Sequence, residues 1–136
     1  MTKPRVLILG HSFVRRLQTF MSRSTIDQKL SLSDTADVRL YGVGGRTVSK
    51  VLEFDLGVVD SFKPDVVILQ LGSNDLVDLA PETVGSSLEE LVHLLHTKFA
   101  VKLIGVCQTL KRVPPSLRVP DFNTRVVKLS TYLKVV

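Results

Sequence analysis

The chain has 136 residues, 44% hydrophobic and 23% charged, with a net charge of +5. This length fits one domain over residues 1–136, able to bury roughly two-thirds of its unfolded surface without a metal or disulfide staple. The one cysteine, Cys107, has no internal disulfide partner. It points to a reduced, intracellular (cytoplasmic) setting. The first apolar run, "VLIL", is too short for a signal peptide, and no stretch approaches the ~18 apolar residues of a membrane span. Basic residues are scattered, at Arg15-Arg16, Lys111-Arg112 and Arg125-Lys128, with little aromatic interleaving. That distribution favours a solvated basic surface over a nucleic-acid site.

Taken in order, Arg5 to Leu9 reads as a strand buried on both faces. Phe13 to Met21 follows as a helix, with Phe13, Leu17, Phe20 and Met21 on one face. Residues 22–36 are polar and turn-rich and read as a loop. Val38 to Tyr41 is the second strand, ending at "GVGGR". A helix from about Thr47 to Ser61 turns Val48, Val51, Leu52, Val59 and Phe62 inward, with Gly57 as a weak point. Pro64 stops it, and "DVVILQL" (Asp65 to Leu71) is the third strand, apolar enough for the centre of a sheet.

"SSLEELVHLLHTKF" is the clearest helix. Ser86 and Ser87 each precede a glutamate at capping-box spacing, and Leu88, Leu91, Val92, Leu95 and Phe99 share a face. Val101 to Val106 is the fourth strand. Pro114, Pro115 and Pro120 mark a loop, after which Asp121 is expected to cap a helix carrying Phe122, Val126, Leu129 and Leu133 inward. Strands alternating with helices imply right-handed crossovers and an open parallel α/β sheet, with ligands at the carboxyl ends of its strands.

That edge is where the unusual residues fall. Gly10-His11-Ser12 ends the first strand, Gly42-Val43-Gly44-Gly45 the second, and Gly72-Ser73-Asn74-Asp75 the third. Each has an ordinary explanation. Ser12 suits a helix cap, Gly44-Gly45 a tight turn, and Asn74-Asp75 a capped turn. Phosphate-loop and dinucleotide fingerprints are both missing. One chemical reading uses all three ends. A serine hydroxyl attacks an acyl carbon while the resulting oxyanion is held by the N–H of Ser12, an N–H at Gly45 and the amide of Asn74.

At these residues the sequence resembles the SGNH hydrolases, the GDSL-like esterase and lipase superfamily. "LILGHSFVRRL" is similar to the block holding the nucleophile, "YGVGGRT" to the block whose glycine supplies an oxyanion N–H, and "LQLGSNDL" to Gly-x-Asn-Asp. The resemblance implies a flavodoxin-like open parallel sheet with helices on both faces. It implies Ser12 as nucleophile and Gly45 and Asn74 as oxyanion partners, with Gly10, His11, Gly44, Gly72 and Asp75 lining the substrate. No cofactor and no metal is implied. The expected substrate is a small ester, since no lid helix or long apolar groove is visible.

One family block is missing. No Asp-x-x-His follows Asp121, so neither the general base nor its carboxylate is found. His11 adjoins Ser12, but adjacent side chains in such a turn diverge. His93 and His96 lie on a helix expected to pack away from the strand ends, where surface histidines are commoner than metal ligands. The domain is therefore expected to lack its last strand. Either it is part of a longer hydrolase, or it is a catalytically silent binding or assembly module of the same fold. A basic accessory domain meeting nucleic acid is a third, weaker reading. Without a fifth strand, "VKLIGV" is left as an edge through which a homodimer is expected.

Overall fold

In the computed structural model, which describes residues 3–23, 35–111 and 119–135, the first apolar run forms strand β1 (Arg5–Gly10). It lies between two parallel neighbours, β2 (Asp37–Gly42) and β3 (Val66–Gln70). Strand β4 (Leu103–Val106) pairs in parallel with β3, so the order is β2-β1-β3-β4. This is the open parallel α/β sheet expected from the alternating pattern. Among the described residues no helix is long and apolar enough to cross a membrane.

Alternation along β1 divides the molecule into two layers. Leu7 and Leu9 face the larger core, formed with Val67 and Leu69 of β3 and with residues 48–62, 76–95 and 119–129. Ile8 faces the other way, towards Leu40 and the first helix, α1 (Ser12–Arg23). The expected face of α1 is not the one that docks. Val14 and Met21 are buried, whereas Phe13, Leu17 and Phe20 are 43%, 39% and 58% exposed. Glycine decides which stripe wins. A Cβ at Gly10 would press on Val14, and one at Gly42 would overlap the backbone of Val14 and Arg15. Their absence lets α1 approach the strands on its Val14 side. Of the expected loop, residues 24–34 lie outside the described residues.

The segment expected as one helix from Thr47 is broken in its hydrogen bonding. Helix α2 (Val48–Lys50) passes into a π-helical turn (Val51–Asp55) and then α3 (Leu56–Phe62). The irregularity precedes Gly57, where a Cβ would meet nothing. After β3 come the short α4 (Asp75–Asp78) and the long α5 (Pro81–Lys98). Helix α5 starts earlier than the capping-box spacing predicts. Pro81 at its first turn has a preset φ, and Ser87 instead donates to Thr83 O at 3.0 Å within the helix. Gly85 is a notch, since a Cβ there would overlap the ring of Tyr132.

Helix α6 (Phe122–Val135) buries Phe122, Val126 and Leu129 against α5, with Leu133 packed behind them. The side chain of Asp121, expected as its cap, accepts from Arg125 Nε at 3.1 Å. Pro114 and Pro115 lie outside the described residues. On the β4 side of the sheet, Leu103 is 64% exposed.

Candidate functional site

Register brings the glycine-marked strand ends to one level. Gly10 is the partner of Gly42 in β2 and of Gln70 in β3. Val43 N donates to Gly10 O at 3.1 Å, and His11 N donates to Gln70 O at 3.3 Å. Ser12, Gly45 and Asn74 therefore leave the same edge of the sheet on adjacent strands.

At the first strand end, capping falls to His11 and not to Ser12. The N–H of Phe13 donates to His11 Nδ1 at 3.3 Å, and Arg15 N donates to His11 O at 3.2 Å. A side-chain acceptor for a first-turn N–H, with a carbonyl taking the first helical bond, defines an N-cap. Among the described residues, none hydrogen-bonds the Ser12 hydroxyl. Ser12 is half-buried at the start of α1.

The same contact fixes the His11 tautomer. Nδ1 accepts a hydrogen bond, so the proton of the neutral ring sits on Nε2, which donates to Ser73 Oγ at 3.1 Å. His11 is 2% exposed and has both nitrogens engaged, so it is not a base for Ser12. Ser73, given no role of its own in the sequence analysis, is thereby drawn to the first strand end. Its own hydroxyl proton remains free to donate.

The second strand end is a turn over residues 43–46, closed by Arg46 N donating to Val43 O at 3.4 Å. Gly45 has φ +74, the left-handed conformation that favours glycine at such a turn's third position. Its N–H has no partner among the described residues. At the third strand end, Asn74 makes no side-chain cap for α4. Its Nδ2 instead donates to Arg46 O at 2.9 Å. One amide proton is spent on that carbonyl and the second remains available. Two donors proposed for one oxyanion thus belong to segments bonded directly to each other.

The residues expected to line a substrate divide differently. Gly44 is exposed at the turn. A Cβ at Gly10 would overlap Gln70 O, and Gly72, buried at φ +119, faces Thr109 and Leu129. His11 is enclosed as described above. Asp75 is 3% exposed, and its Oδ1 accepts from Val48 N at 3.1 Å while Oδ2 has no partner among the described residues. Burial raises the pKa of Asp75, and the bond from Val48 opposes that shift only in part. Gly10, His11, Gly72 and Asp75 therefore brace the edge from within.

Two further residues complete the second strand end. Arg46 Nε donates to Asp55 Oδ2 and Nη2 to Asp55 Oδ1, each at 2.9 Å. Asp55 is fully buried. It falls on the apolar face shared by Val48 and Val59, so an acid at that helical spacing was the available sequence signal.

Elsewhere, His96 Nδ1 lies 3.0 Å from Val101 O, and His93 and His96 line a cavity of about 640 Å³ with Val92, Val106, Cys107 and Leu133. This cavity lies between α5, α6 and the end of β4, and Ser12, Gly45 and Asn74 are not among its lining residues. Among the described residues, no three His, Cys, Asp or Glu gather as metal ligands. Burial also raises the thiol pKa of Cys107, so it is protonated at neutral pH.

Comparison with known proteins gives a family and a fold. The profile of the GDSL-like Lipase/Acylhydrolase family matches residues 8–135. Human platelet-activating factor acetylhydrolase IB subunit alpha2 is 28% identical over 97 residues, covering 71% of this chain and 39% of that protein. The match thus spans well under half the length of that relative. A crystal structure of a GDSL-like lipase from Bacteroides thetaiotaomicron VPI-5482 superposes with a TM-score of 0.74 at 15% identity, over 99% of this chain and 66% of that one. An acetyl xylan esterase gives 0.66 at 17% identity, over 96% and 73%. These two structures share the fold.

Proposed function

Since the chain belongs to the GDSL-like Lipase/Acylhydrolase family, we propose that it is a serine esterase domain acting on small acyl esters. The observation that carries this reading is the division of labour at the first strand end. His11 caps α1, and the Ser12 hydroxyl, at the same edge as Gly45 and Asn74, is left without a hydrogen-bond partner among the described residues.

The reaction is acyl transfer. Ser12 Oγ attacks the ester carbonyl carbon, the carbonyl π electrons move onto oxygen, and the proton of Oγ passes to a base. Collapse of the tetrahedral intermediate re-forms the carbonyl and expels the alcohol, which takes up that proton. Water then releases the acid from acyl-Ser12. The N–H groups of Ser12 and Gly45 and the free proton of the Asn74 amide stabilise the oxyanion, each such donor commonly contributing ~10²–10³ in rate. His11 is locked in the wrong tautomer, and His93 and His96 lie on α5. The base in this reading comes from outside the described residues. The similarity to an acetylhydrolase, and the fold shared with an acetyl xylan esterase, support a small acyl group.

A second reading, a silent module of the same fold, is favoured by that locked histidine. Intact mass after incubation with a fluorophosphonate separates the two. A single adduct lost in Ser12→Ala supports the esterase. Absence of an adduct supports the module.

A further inference from the structure

We propose that the Arg46–Asp55 ion pair is a positioning device for the oxyanion donors: it holds the residue 45–48 segment so that Gly45 N–H and the free Asn74 amide proton keep one fixed relation. This rests on the reading of Gly45 and Asn74 as donors and adds to it two residues that touch no substrate.

The Arg46 carbonyl is the acceptor that orients the Asn74 side chain, at 2.9 Å. A carbonyl on a glycine-rich turn can swing with the turn, because Gly45 adopts left- and right-handed backbone with similar ease. The Arg46 side chain removes that freedom. Its guanidinium forms a two-point fork with Asp55, at 2.9 Å on each arm. Such a fork fixes direction as well as distance. Asp55 is fully buried and comes from the last residue of the π-helical turn. Phe54 lies over the guanidinium, 5.3 Å from ring centre to Cζ.

A second tie lies two residues on, where Val48 N donates to the buried Asp75. Between the ties, Thr47 Oγ1 accepts from Lys50 N at 3.4 Å and caps α2. The segment is thus pinned by a side chain, a carbonyl and an N–H, and two of the three pins reach Asn74 or its neighbour. A merely structural ion pair would stabilise the helix behind it. This one also sets the acceptor of a candidate catalytic amide.

The test reads Asn74 directly. In ¹⁵N-labelled protein, the Asn74 side-chain amide pair is assigned by its loss in Asn74→Asp. One of its protons is bonded and one open, so the bonded proton exchanges more slowly with solvent. Asp55→Asn is expected to speed that exchange about tenfold, roughly what one net hydrogen bond protects. Backbone amides of β1 and β3 are expected to stay as they were. Arg46→Lys keeps the cation, loses the fork and is expected to give an intermediate effect; it carries the comparison if Asp55→Asn does not fold.

Unchanged Asn74 exchange in the folded variants overturns the proposal. So does acceleration spread equally over β1 and β3, which marks general loosening. Fluorophosphonate labelling of the same proteins is read separately. No labelling of the parent protein rejects the esterase reading, and Asn74 exchange still decides the positioning role. If the parent labels, the variants are expected to lose about tenfold in maximal labelling rate with little change in half-saturating reagent.

Discussion

His11 and Ser73, 62 residues apart, share a 3.1 Å hydrogen bond that ties the first strand end to the third. Because the other ring nitrogen accepts from Phe13 N–H, this Ser–His contact has the histidine as donor. A catalytic dyad needs the reverse. The pair is a brace.

That assignment predicts the consequences of replacing His11. His11→Ala removes the cap and the partner of Ser73 and is expected to destabilise the fold by about 1–3 kcal/mol. His11→Asp restores a good capping residue and is expected to recover about half of the loss in urea unfolding. Any Ser12 labelling is expected to survive in His11→Asp. Its loss there with the fold intact would make His11 the base.

Asp75 gives a pH dependence with a definite sign. Its folded pKa is raised, chiefly by burial, so the folded protein binds this proton more tightly than the unfolded chain. The associated stability is fully present below the ordinary carboxylate value and is lost as pH rises through the folded value. Asp75→Asn carries no such proton. The stability of wild type minus that of Asp75→Asn is therefore expected to rise as pH is lowered from 7 towards 4. A flat or falling difference in denaturant titrations would contradict the buried, partnerless Oδ2.

Two glycines at positive φ should respond unequally to alanine. Gly45 has φ +74 and open space around a Cβ, so Gly45→Ala carries only the backbone cost, about 1–2 kcal/mol. At Gly72, φ is +119 and the Cβ would stand 3.1 Å from Thr109 Oγ1 and 3.3 Å from Leu129. Gly72→Ala is expected to cost more, about 2–4 kcal/mol. Equal losses in thermal unfolding would contradict the tight contact at Gly72.

Much of this arrangement is legible in the chain. Short apolar runs ending in glycine give the strands, and their order gives the sheet edge that Ser12, Gly45 and Asn74 follow. Legibility fails where two apolar stripes compete. On α1 both Phe13-Leu17-Phe20 and Val14-Met21 obey the helical period, and only the bare backbone at Gly10 and Gly42 selects the second. It fails again at Arg46 and Asp55, since an acid on an apolar face makes sense only once a cation from a preceding turn is found to reach it. The tautomer of His11 needs three-dimensional partners on both nitrogens, which no spacing discloses.

The β4 edge carries an expectation about association. Leu103, the first residue of the edge strand β4, is 64% exposed, and that strand bears no acidic residue. Such edges invite pairing with another chain. Sedimentation velocity is expected to show self-association that rises with concentration and weakens in Leu103→Lys. A monomer at every concentration would remove homodimerisation through this strand.

The pairing of Gly10 with Gly42 on one side and Gln70 on the other has a mechanical consequence. The backbone ladder acts as a ruler for the three loops, graduated in steps of about 3.3 Å per residue. A two-residue slip of β2 or β3 keeps every side chain on its proper face, yet it carries that strand's loop about 6.6 Å along the sheet, beyond hydrogen-bond reach of the others. Packing alone tolerates several graduations of this ruler; chemistry between the loops tolerates one.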